Sequence, residues 1–320
     1  MIKICMKASH KFFEKNIVKK FSVIIDRIVV ELYSEKDVIT MTLQGNVSVG
    51  IVEKLWADIY SIIFIYLGAY PKMISMLENN EIRDYSLMVD KYNSWDYMAK
   101  PYMCMCQINE TTINQKIVNK YRNLNNLPIY SMEYLISESY KNVILNHRIT
   151  LLLHVIDGLI SDKEKEDARS DYINIYRPRY DIGTYKPAVY YLCNNYFFKY
   201  EEEFSCEIMS LLKKDQHDFI DVLTDTRHFY SHWLKASKKK KRLIEGKEML
   251  EYFEIIYFSL RLHLLSRLGV VVEEEHIKEY LYIIHDWILE TDYKKKFPVK
   301  SIHYQRMREI EEVNEKLKKM

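Results

Sequence analysis

The stretch Asp221-Val-Leu-Thr-Asp-Thr-Arg-His-Phe-Tyr-Ser-His-Trp233 decides the fold, because its two sides read so differently. At about 100° per residue, Phe219, Val222, Leu223, Thr226, Tyr230 and Trp233 fall on one side of a helix. Asp221, Asp225, His228 and His232 fall on the other, at offsets of four, three and four. Arg227 and Ser231 border that polar stripe. The apolar side supplies a core-facing surface, so the histidines and the arginine are free to point elsewhere. A helix of this kind belongs in a bundle, with its polar edge available for chemistry.

The flanking sequence supports a bundle. Only 7 glycines and 6 prolines interrupt 320 residues, and 48% of residues are apolar. Scarce breakers and a sufficient core argue for long helices rather than a many-stranded sandwich, and against disorder. After the polar helix, residues 246–268 read as another helix closed by Gly269, and residues 273–289 as the next. Before it, residues 187–212 read as a helix. Residues 172–187 form a proline-interrupted segment, and residues 161–171 a charged loop. Ser131, followed by Glu133, marks the start of a long helix over residues 134–160. The Asn- and Pro-containing run at residues 123–128 is the best domain boundary.

Upstream of that boundary the pattern is mixed. Residues 21–33 and 38–43 are rich in β-branched residues, with a turn at 34–37, which reads as a hairpin. Residues 49–67 have helical spacing and stop at Gly68; residues 71–76 suggest another short strand; residues 111–124 suggest a helix. Residues 86–108 are aromatic-rich without a clear period. The expected architecture is therefore mainly α, a C-terminal helical bundle preceded by a smaller α+β N-terminal domain. The divisions are an N-terminal domain at 1–126, the bundle at 127–290, and a charged tail at 291–320 with a helix over 304–319.

Charge and cysteine content exclude several classes. The net charge of +2 is too small to imply a partner by itself. Five scattered cysteines do not form a disulfide framework, and a reducing cytoplasm is the simplest setting. The N-terminus lacks the apolar run of a signal peptide, and the greasiest stretch, residues 59–70, falls short of the ~20 needed to span a bilayer. No membrane partner is expected. There is no Gly-rich phosphate loop, no Gly-x-Ser-x-Gly and no His-Glu-x-x-His.

The candidate chemistry is Arg227-His-Phe-Tyr-Ser-His232, an arginine followed after four residues by a histidine. It sits near the C-terminal end of a bundle helix, with the basic run Lys235-Ala-Ser-Lys-Lys-Lys-Lys-Arg242 directly after it. In this placement the sequence resembles the HEPN superfamily, whose Arg-x4–6-His motif lies on a helix of a four- to five-helix bundle. The upstream domain makes it similar to the ApeA-like branch in particular. The resemblance covers residues 129–290. Many members have Asn or Asp directly after the arginine, where this chain has His228.

The resemblance implies metal-independent endoribonuclease activity, in anti-phage defence or as a toxin. The N-terminal domain would then sense a trigger or hold the nuclease off. The chemistry is consistent: the 2′-hydroxyl of RNA is an internal nucleophile beside the phosphate. A histidine can move the proton at neutral pH, and an arginine fork can offset charge building on the phosphate. On this reading His232 is the general acid/base, Arg227 the phosphate clamp, and His228 a second proton-transfer or positioning group. Asp221, Asp225 and Ser231 support them. Lys235, Lys238, Lys239, Lys240, Lys241 and Arg242 attract the RNA backbone. No cofactor and no metal are required. Arg227 and His232 lie about 140° apart around the helix and ~7.5 Å along it, so one face presents them poorly to one phosphate. Two copies about a two-fold axis would join both pairs, and a homodimer or higher homo-oligomer is expected. Further partners are the RNA substrate and a neutralising or trigger partner.

Other readings use the same residues. Arg227 could pair with Asp221 or Asp225, and His232 could serve the helix macrodipole. The basic run could be a solvated loop. Tyr230 and Trp233 could stack on bases, though their side of the helix favours core packing. Asp221, Asp225, His228 and His232 could bind a divalent ion, but no matching stripe appears on another helix. His147 and His154 read as packed or hydrogen-bonded. The bundle could also be a non-catalytic RNA- or protein-binding module used for dimerisation.

Overall fold

The structure is a computed structural model of the chain. It describes residues 1–7, 20–35, 38–68, 72–79, 81–82, 104–136, 145–179, 181–232, 243–244 and 248–296. Among these, one antiparallel sheet has the order β2-β3-β4-β1-β5-β6. Its strands are β1 (Ile2–Lys7), β2 (Lys20–Ile25), β3 (Ile28–Glu35), β4 (Val38–Gln44), β5 (Lys72–Glu78) and β6 (Glu81–Ile82). Alternation drives it: Ile2, Ile4 and Met6 of the central β1 are all buried, and Ile4 lies opposite Met41 and Met76. Residues 21–33, which read as one β-rich stretch, are two strands. They are split at Asp26 and Arg27, which take φ of 52° and 65° without a glycine. Tertiary contacts hold that turn. The Asp26 amide donates to Gln115 Oε1 at 2.7 Å, and Arg122 bridges Asp26 and Asp58, each at 2.6 Å.

Helix α1 (Val49–Leu67) is buried nearly all round beyond Leu55, as its continuous apolar run requires. It shares one hydrophobic core with the sheet and with the bundle. The bundle follows α2 (Gln115–Arg122) and contains α3 (Asn126–Ile136), α4 (Leu145–Leu159), α5 (Asp162–Tyr176) and α6 (Tyr185–Cys193). After these come the short α7 (Lys199–Glu203) and α8 (Ile208–Leu212), then α9 (Gln216–His232), α10 (Glu248–Leu268) and α11 (Glu274–Lys296). The mainly α architecture, with an α+β region ahead of a helical bundle, is the expected one.

Three local readings differ. Residues 161–171 are not a loop but the start of α5. Ser161 and Glu164 form a capping box, with the Ser161 amide donating to Glu164 Oε2 at 2.8 Å. Its charged, weakly apolar sequence hid this, although Ser-x-x-Glu is the signature of such a start. Ser131 lies inside α3, its hydroxyl donating to Leu127 O at 3.1 Å. That helix begins before Pro128, which sits in the first turn, where its missing N–H has no partner to lose. Residues 187–212 are broken rather than continuous. A π-turn at Asn194–Phe198 follows α6, and positive φ at Ser205, Glu207 and Lys213 separates the short helices. The expected helix at 304–319 lies outside the described residues.

The sheet-bearing half and the bundle are joined at the end of α1. Arg261 of α10 is fully buried, and its guanidinium donates to Ile65 O at 3.0 Å and Tyr66 O at 2.7 Å. Tyr257 adds a bond to Gly68 O at 2.8 Å. The terminal carbonyls of α1, which have no partner within the helix, are thus met by a cation at the negative end of the helix dipole. Gly68 has a φ of 74°, and a Cβ there would stand 2.5 Å from Arg261 Nη1.

Candidate active site

Helix α9 is clamped by aromatic rings at its N-terminal half. Phe219 lies 5.7 Å from both Phe197 and Phe198 of the π-turn and stacks on Tyr252 of α10 at 4.8 Å. Val222, Leu223 and Thr226 continue the buried side, and Tyr230 is partly buried against the core. After the basic run the chain returns to this helix, where the Ile244 amide donates to the buried Thr226 hydroxyl at 3.0 Å. The apolar face is therefore the one the spacing assigns, as far as residue 230. Trp233 lies outside the described residues.

The polar residues divide between the two ends of α9. At the N-terminal end, Asp221 accepts from Lys186 Nζ at 2.7 Å and stands 3.8 Å from His217. Lys186 also lies over the Tyr172 ring. Asp221 is thus tied to α6 and to its own helix, beside a cluster of Tyr172, Tyr176, Tyr190 and His217. Asp215, His217 and Asp218 bring their ligand atoms within 4.8 Å of one another. Asp215 there accepts the Asp218 amide at 2.7 Å, as a residue capping the helix start does.

At the C-terminal end, Arg227 and Ser231 face α4 and α6. The Arg227 guanidinium lies 4.4 Å over the Tyr185 ring and 3.7 Å from Asp157 Oδ2. Its Nε is buried and makes no hydrogen bond among the described residues. The Tyr185 hydroxyl donates to Leu153 O at 2.9 Å; burial pushes this phenol well above its ordinary range, so it stays a neutral donor. Asp157 also meets Lys165 Nζ at 3.0 Å. Ser231 donates to Arg227 O at 2.6 Å and contacts His154 Nε2 at 3.0 Å. Asp225 is half-buried and His228 is exposed. His232 is the last described residue of α9; its side chain lies outside the described residues, as do Lys235, Lys238, Lys239, Lys240, Lys241 and Arg242.

An acidic neighbour of the arginine is therefore Asp157 of α4, whereas Asp221 of its own helix pairs with Lys186. His154, Asp157 and Tyr185 were missed as site residues. His154 and Asp157 are three apart and share one helix edge, but nothing in the sequence says that this edge meets α9. Chemically, a guanidinium stacked on a ring and loosely paired through Nη2 has the donors to receive a phosphate oxygen.

The sequence model of the family described as Apea-like HEPN matches residues 163–274, which span α5 to the first residue of α11. No curated protein and no solved structure matches the chain. HEPN domains are generally nuclease-like, dimerise and act on RNA. Among the described residues, no helix is long and apolar enough to cross a membrane.

Proposed function

Residues 163–274 are an Apea-like HEPN domain, and from that premise we propose that the chain is a metal-independent endoribonuclease of the cytoplasm. It acts in anti-phage defence or as a toxin. The observation that carries the reading is that Arg227-x4-His232 lies within the matched segment, on α9, with Arg227 held on Tyr185 beside a loose acidic partner. Arg227 clamps the scissile phosphate, and His232 moves the proton between the 2′-hydroxyl and the leaving 5′-oxygen. His228, one residue after the arginine, serves as the second proton-transfer group or as a positioning residue. Lys235 and the run from Lys238 to Arg242 draw in the RNA backbone. Two copies pair through the bundle so that both motifs serve one groove, and residues 1–126 sense the trigger or restrain the nuclease.

The test is cleavage of a labelled RNA by the purified chain in excess chelator. The parental protein should yield ends bearing a 2′,3′-cyclic phosphate. Arg227→Ala and His232→Ala should each slow cleavage by roughly 10²-fold or more while leaving the circular dichroism spectrum unchanged. Parental rates in either variant sink the assignment. Binding without scission, weakened only by neutralising residues 238–242, would select the non-catalytic binding module instead.

A further inference from the structure

We propose that His154 and Asp157, both on α4, are positioning residues for the Arg227–His232 pair; this rests on the ribonuclease reading above. Both lie upstream of the segment that matches the HEPN family. Ser231 has one hydroxyl proton, and it is donated to Arg227 O at 2.6 Å. The 3.0 Å contact with His154 is then donated by His154 Nε2–H and accepted by Ser231 Oγ. That chain places a proton on His154 Nε2 and ties α4 to the residue immediately before His232.

The same edge of α4 reaches the arginine. Asp157, three residues after His154, stands 3.7 Å from the Arg227 guanidinium, and Leu153 O accepts the hydroxyl of the Tyr185 ring beneath it. Two contacts from one helix thus reach Arg227 and Ser231 of the motif, and a third holds the ring beneath the arginine. His232 directly follows Ser231 on α9, so its placement depends on the contacts that hold Ser231. Misplacing a reacting group by about 1 Å can cost on the order of 10²-fold in rate.

The experiment measures RNA cleavage by the full chain carrying His154→Ala, His154→Gln or Ser231→Ala, with Arg227→Ala as reference and circular dichroism as the folding check. His154→Ala and Ser231→Ala should each lower kcat on the order of 10–100-fold with little change in KM. The double variant should be no slower than either alone. Glutamine places an amide N–H where Nε2–H stood, so His154→Gln should recover most of the rate with an unshifted pH profile. Asp157→Ala should cost less, since its pair is loose and partly exposed. Parental rates in Ser231→Ala overturn the inference, even should His154→Ala fail to fold. So does a His154→Gln enzyme that is as slow as the alanine variant and has lost one limb of the pH profile, because His154 would then transfer a proton itself. If Arg227→Ala keeps full activity, it is the ribonuclease reading that fails; if Arg227→Ala is inactive while His154→Ala is normal, only the positioning role fails.

Discussion

Replacing Arg261 with methionine isolates the joint between the sheet and the bundle. Methionine has similar volume, so little cavity is left. The loss falls on two carbonyls. Ile65 O loses a charged donor at 3.0 Å, which in a buried setting is worth about 1–3 kcal/mol. Tyr66 O loses its 2.7 Å bond but keeps the Met105 amide at 3.0 Å, so its share is smaller, about 0.5–1.5 kcal/mol. The sum is about 2–4 kcal/mol, or a drop of about 3–6 °C in melting temperature for a chain of this size. Urea denaturation followed by circular dichroism measures it, with the slope checked for two-state behaviour. Lysine at this position should fall between, since it keeps the charge but cannot serve both carbonyls with one planar fork. A loss below about 1 kcal/mol for the methionine variant would refute the argument that the guanidinium completes the end of α1.

Gly68→Ala should cost at least about 2 kcal/mol, from the left-handed backbone and from the collision with Arg261 Nη1. The collision part should shrink in an Arg261→Met background, so a double-mutant cycle in urea should be non-additive. Ser161→Ala removes the capping box of α5 and should cost about 1 kcal/mol by the same assay. His263 gives a pH signature: burial holds its imidazole below the ordinary value, against the opposing pull of Glu164. The unfolded chain therefore takes up this proton first, so the His263 contribution is complete above about pH 6.5 and declines as pH falls toward the depressed folded value. His263→Gln should flatten the stability curve in that window, and an unchanged curve would count against the argument.

What the sequence reveals follows the range of the interactions. The apolar face of α9, the stop of α1 at Gly68 and the β3–β4 hairpin depend on neighbours within a few residues, and each is readable from spacing. The split at Asp26 and Arg27 is not, because the residues that stabilise it, Gln115 and Arg122, are roughly 90 positions away. Helix α5 was lost for a different reason: its first half carries so much charge that periodicity is silent, and only the Ser161–Glu164 cap declares it. The same division runs through the site. Arg227 and Ser231 stand out on their own helix, whereas Asp157 and His154, 70 and 77 positions earlier, join them only by packing.

Helix α10 gives these observations a common frame. Its Arg261 and Tyr257 meet the end of α1, while Tyr252, nine residues before Arg261, stacks on Phe219 of the motif helix. Phe253, the next residue, lies under Arg148 of α4. About 13.5 Å of one helix therefore separates the joint with the sheet from both helices that carry the candidate site. A packed helix moves as a unit rather than bending over so short a span. If residues 1–126 do restrain or release the nuclease, a shift at the α1 terminus would reach α4 and α9 together, and so would displace Arg227 and its Asp157 partner as a pair. Arg261→Met should then lower the cleavage rate at temperatures well below its melting point. A rate equal to the parental one under those conditions would separate the joint from the site and leave Arg261 with a purely structural role.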